Sequence, residues 1–69
     1  MKVRINRHAM EIFDGATVGD AILAHSQWSF RKMMEEKLIP YDRFGNVTEP
    51  GGAISEGQII FLKKPKHHV

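Results

Sequence analysis

The stretch Ile54-Ser55-Glu56-Gly57-Gln58-Ile59-Ile60-Phe61-Leu62-Lys63-Lys64 decides the fold. Ile59 through Leu62 are apolar at consecutive positions, which puts apolar side chains on both faces and suits a central strand rather than an edge. Glu56-Gly57 supplies a tight turn ahead of it, and Lys63-Lys64 marks its exit to solvent. A last strand over Gln58 to Lys64 is therefore expected at the centre of a sheet, with Ile54 plugging the core from the preceding loop. Side chains alternate along a strand, so if Ile60 and Leu62 point inward, Ile59, Phe61 and Lys63 point to the opposite face.

A central strand needs neighbours, and the N-terminus provides them. Met1, Val3 and Ile5 alternate with Lys2, Arg4 and Asn6, the period-two signature of a half-buried strand, and Met10 and Ile12 alternate with Glu11 and Phe13 in a second. The polar Asn6-Arg7-His8 between them reads as a hairpin turn, although no glycine occupies its left-handed position. Asp14-Gly15 ends the second strand. Thr17 and Asp20 have the spacing of a capping box, and Val18, Ala21, Ile22 and His25 share one face of the helix they open. Gly19 in its first turn costs up to about 1 kcal/mol relative to alanine, so packing on the sheet has to carry this helix.

Phe30, Met33, Met34 and Leu38 have helical spacing as well, which predicts a second short helix capped by Ser29 and running to about Lys37. Arg31 and Lys32 at its start and Glu35 and Glu36 near its end oppose the helix dipole. Pro40 is expected to stop it, and Tyr41 to Thr48 reads as two short strands about a Gly-Asn turn. The expected core is Val3, Ile5, Met10, Ile12, Val18, Ile22, Ile54, Ile60 and Leu62. Hairpin, helix, short strands and final strand in that order describe an α+β, β-grasp (ubiquitin-like) fold: a mixed sheet with one main helix across one face and a second short helix. Residues 1–64 form this domain and 65–69 a flexible basic tail. With its lysines and Pro65, the segment from Lys63 to Val69 is expected to be disordered.

Composition narrows the chemistry. The 69 residues contain no cysteine, which excludes disulfides, thiolate metal sites and cysteine nucleophiles. No apolar run is long enough for a membrane span, and the N-terminus lacks the apolar core of a signal peptide, so a cytoplasmic location is expected. Three of the ten basic residues, Lys63, Lys64 and Lys66, crowd the last seven positions, so a net charge of +2 argues only weakly for nucleic acid.

Taken together, the opening Met1-Lys2-Val3-Arg4-Ile5-Asn6, Ala9-Met10, Gly15-Ala16-Thr17-Val18 and Ile54-Ser55-Glu56-Gly57-Gln58-Ile59-Ile60 resemble, in order, the ThiS/MoaD-type ubiquitin-like sulfur carriers of thiamine and molybdopterin synthesis. The match spans most of the chain outside His25 to Lys37. The resemblance implies an adenylating, E1-like enzyme as partner and a C-terminal Gly-Gly whose carboxylate becomes a thiocarboxylate. Here Leu62 is followed by Lys63-Lys64-Pro65-Lys66-His67-His68-Val69, and side chains on the last two residues would obstruct the narrow channel that glycine passes. Gly51-Gly52 offers no substitute, because cleavage there removes Ile54, Ile60 and Leu62.

No catalytic, cofactor or metal site is expected. The acidic residues offer no evident acid/base pair, no serine or threonine has an activating neighbour, and His67-His68 on a loose tail, with His8 or His25, is not preorganised for a metal. His25 reads as a packed or capping histidine, and Trp28, Phe30, Met33 and Met34 as core packing before binding surface. Partner contact is assigned to the open sheet face, through Arg4, Ile59, Phe61 and Lys63. The chain is expected to be a monomer or weak homodimer acting as a protein-binding module that is not itself competent for thiocarboxylate formation. The alternatives are a sulfur carrier whose terminus is made by processing or lies outside this sequence, and a small nucleic-acid-binding domain using Lys2, Arg4, Arg7, Lys63, Lys64 and Lys66.

Overall fold

The computed structural model describes residues 1–65. Strands β1 (Lys2–Ile5) and β2 (His8–Glu11) form the N-terminal hairpin, helices α1 (Val18–His25) and α2 (Gln27–Met34) follow, and β3 (Ile39–Tyr41) and β4 (Ile59–Lys63) complete a four-stranded mixed sheet in the order β2-β1-β4-β3. The first and last strands lie side by side in parallel at the centre, Arg4 against Ile59 and Ile5 against Ile60, with an antiparallel strand on either flank.

In the hairpin turn, Asn6 takes the left-handed position at φ 55°, a conformation that asparagine tolerates better than most residues. Its side chain is also structural: Oδ1 accepts the Leu62 N–H at 2.9 Å and ties the hairpin tip to β4. At the other end of the sheet, Gly57 at φ 78° lets its N–H reach the Lys2 carbonyl at 2.7 Å, while Glu56 Oε2 accepts the Lys2 N–H at 2.6 Å.

The first turn of α1 is fully satisfied, which explains where the helix starts. Thr17 Oγ1 accepts the Asp20 N–H at 3.0 Å and Asp20 Oδ2 accepts the Thr17 N–H at 2.9 Å. The Val18 and Gly19 N–H groups donate to the Gly52 and Pro50 carbonyls at 2.9 and 2.8 Å. All the orphan donors of a helix start thus find partners within the chain. Gly51-Gly52 is accordingly part of a loop that seats the helix.

Val3, Ile5, Ala16, Val18, Ala21, Ile22, Met33, Ile54 and Ile60 are buried, and Met10, Ile12 and Leu62 pack half-buried around them. The register expected for the last strand is the one observed.

Four local expectations are corrected. The cap of α2 is Ser26, whose Oγ accepts the Ser29 N–H at 3.1 Å, so the helix begins at Gln27. It ends at Met34, ahead of Pro40, because Glu36 at φ 61° turns the chain while the Glu36 and Lys37 N–H groups bond back to the Met33 and Lys32 carbonyls. Met34 and Trp28, expected in the core, are each 61% exposed, and only Met33 of this helix is buried. The expected strand pair over Tyr41 to Thr48 is instead β3 beginning at Ile39, with Pro40 inside it, and a lone bridge from Tyr41 to Val47 around a turn held by Asp42. Finally, Lys63 belongs to β4 and pairs with Ile39, so the order of the chain extends past Leu62. Lys64 and Pro65 carry no regular secondary structure, and the remainder of the tail expectation, Lys66 to Val69, lies outside the described residues.

Candidate functional site: the open sheet face

Strand pairing sets what lies on the face opposite α1. Ala9 is abreast of Arg4, Arg4 of Ile59, Phe61 of Tyr41, and Lys63 of Ile39. The four residues assigned to partner contact, Arg4, Ile59, Phe61 and Lys63, therefore share one surface. Arg4 and Lys63 are exposed at its margins, while Ile59 and Phe61 are half-buried between them. The Lys63 ammonium lies 5.7 Å from the Phe61 ring centroid, within cation–π range.

Tyr41 and Ile39 extend this apolar strip to the β3 edge and were not anticipated as part of it. Their place depends on β3 pairing antiparallel with β4, a contact between residues far apart in sequence. The signal available was the alternation of Ile39 and Tyr41 about Pro40, which the proline masks, because proline within a run argues against a strand.

Electrostatically the face is mainly basic. Lys2, Arg4 and Lys63 are exposed on it, with the exposed Glu11 abreast of Lys2, while the exposed Glu56 carboxylate accepts the Lys2 N–H. An open depression lined by Lys2, Arg4, Ala9, Gly57 and Ile59 marks the β1 side.

At the hairpin tip, the His8 and His25 rings approach to 5.1 Å between centroids, in a cleft also lined by Asn6, Arg7 and Phe61. Burial, and secondarily the neighbouring His8, lower the pKa of His25 below its ordinary 6.5. Among the described residues, no three His, Cys, Asp or Glu side chains are grouped as metal ligands. No described helix is long and apolar enough to cross a membrane. Compared with protein-family models, with curated proteins and with solved structures, the chain gives no match.

Proposed function

We propose that the chain is a β-grasp, ubiquitin-like protein-binding module of ThiS/MoaD type, and that it docks its open sheet face on an apolar surface of a partner protein rimmed by acidic groups. The fold reading is supported by the central parallel pairing of first and last strands, the antiparallel flanks, and α1 packed across one face. The functional reading is carried by one observation: the cross-strand register gathers Ile59, Phe61 and Tyr41 into a strip bounded by Arg4 and Lys63. Aromatic and arginine side chains contribute disproportionately to interfaces, and flanking cations select an acidic partner. The family resemblance implies that this partner is an adenylating enzyme of the type that activates sulfur carriers.

The test is direct binding of the purified chain to such an activating enzyme. The wild-type chain should bind, and Phe61→Ala should weaken binding by more than about tenfold while the far-ultraviolet circular dichroism stays unchanged. Equal binding by wild type and Phe61→Ala would remove the open face as the interface.

A further inference from the structure

The two edges of the sheet are treated differently. At the β3 edge, Pro40 has no N–H to offer, its carbonyl accepts both the N–H and the Oγ1 hydroxyl of Thr48 at 2.9 and 3.1 Å, and Tyr41 bridges Val47. That edge is closed. At the β2 edge, among the described residues, no strand lies beyond His8–Glu11.

The hydrogen bonds also show which backbone groups β2 presents. Arg4 and Asn6 donate toward β4, to the Gln58 and Ile60 carbonyls, so the alternate residues Val3 and Ile5 face β2, where their partners are Met10 and His8. Met1 and Ile12 exchange bonds in the same phase. The N–H and C=O groups of Ala9 and Glu11 therefore point away from the sheet, as an unpaired edge. His8, Ala9 and Glu11 are exposed, no proline interrupts the strand, and α1 packs chiefly on β1, meeting β2 through His25 against His8 on the helix face.

We infer that this edge pairs with the same edge of a second copy of the chain, antiparallel about a two-fold axis at Ala9, to form one continuous sheet. Backbone parity requires outward-facing residues to oppose one another, and charge selects among the registers that satisfy it. Centred on Ala9, Arg7 lies abreast of the partner's Glu11, and Glu11 of the partner's Arg7, two opposite-charge pairs created by one symmetry operation. Centring on Glu11 would set like charges together. The methyl side chain of Ala9 allows close approach at the axis, and His8 lies opposite the partner's Met10 on the helix face. Among the described residues neither Arg7 nor Glu11 has an ionic partner within the chain. The two helices lie on one side of the joined sheet, and the two open faces merge on the other.

A four-residue strand forms a weak interface, so dissociation on the order of 0.1 mM is expected. The experiment is sedimentation equilibrium from about 10 µM to about 1 mM, with amide exchange of Ala9 followed by NMR over the same range. A dimer should form with concentration, and the Ala9 amide should gain protection in step with it. Glu11→Arg sets arginine against the partner's Arg7 and should weaken the dimer by at least about tenfold; Arg7→Glu should do the same, and the double exchange should restore it. The double variant also controls for any loss of stability from placing arginine opposite Lys2 in the same hairpin, since it keeps that contact. Phe61→Ala should leave the dimer intact. A chain that remains monomeric to about 1 mM, a dimer indifferent to charge at positions 7 and 11, or one lost in Phe61→Ala overturns the proposal.

Discussion

The Gly19 N–H donates to the Pro50 carbonyl at 2.8 Å, so the first turn of the main helix is fastened to a loop far along the chain. A β-carbon at position 19 would stand 3.1 Å from that same carbonyl oxygen. In an open helix, replacing glycine with alanine gains about 1 kcal/mol. Here the carbonyl is held in place by the hydrogen bond and cannot easily retreat. Gly19→Ala should therefore lower stability, by about 1 kcal/mol, read as a fall in the urea midpoint; a rise would show that the loop yields freely.

Glu36 presents the opposite case. It holds φ 61° at the end of α2, where a side chain disfavours the left-handed conformation that glycine adopts readily. It is exposed, and the ion pairs of this region use Glu35, with Lys32 at 3.7 Å and Lys37 at 3.5 Å. Glu36→Gly should stabilise the domain by up to about 1 kcal/mol, with an upward shift in thermal midpoint as the measure.

These two positions also show what was legible in the sequence. Thr17 and Asp20 announced the helix start because a capping box is a local pattern with a local cause, and Ile59 to Leu62 announced the central strand because four consecutive apolar residues put apolar side chains on both of its faces. The end of α2 escaped because a residue that pays strain to turn the chain leaves no mark in composition. Ser26 escaped as its cap because Ser29 fitted the same rule. Tyr41 and Ile39 joined the open face only through pairing with β4, and no periodicity within so short a strand reports its distant neighbour. On the open face itself, Arg4, Ile59, Phe61 and Lys63 were legible from alternation once the direction of Ile60 was fixed.

Stability should fall in mildly acidic solution. The pKa of His25 is lowered by its burial first and by His8 second, so the unfolded chain takes up the proton more readily than the folded one. The contribution is present above the ordinary value of 6.5 and is lost as the pH falls below it toward the lower folded value. Urea midpoints at about pH 7.5 and about pH 5.5 should therefore differ in the wild type. The difference should shrink in His25→Gln, and by a smaller amount in His8→Gln. The same pH dependence in His25→Gln as in the wild type would assign the effect to other groups.

Neighbouring residues of one strand should separate folding from binding. Ile60 is fully buried beneath α1, and truncation to alanine removes its methyl groups from a core too small to collapse around the loss. Ile60→Ala should cost about 2 to 4 kcal/mol, enough to unfold much of so small a domain at ambient temperature. Phe61, half-buried on the opposite face beside Tyr41 and Lys63, should cost less than half as much, since water already reaches part of its ring. Denaturant midpoints of the two variants, set beside their affinities for the proposed partner, distinguish the two faces. Ile60→Ala should lose binding only in proportion to the unfolded fraction, and Phe61→Ala should lose it while folded. A larger stability loss at Phe61 than at Ile60 would contradict the burial on which both the sheet register and the proposed interface depend.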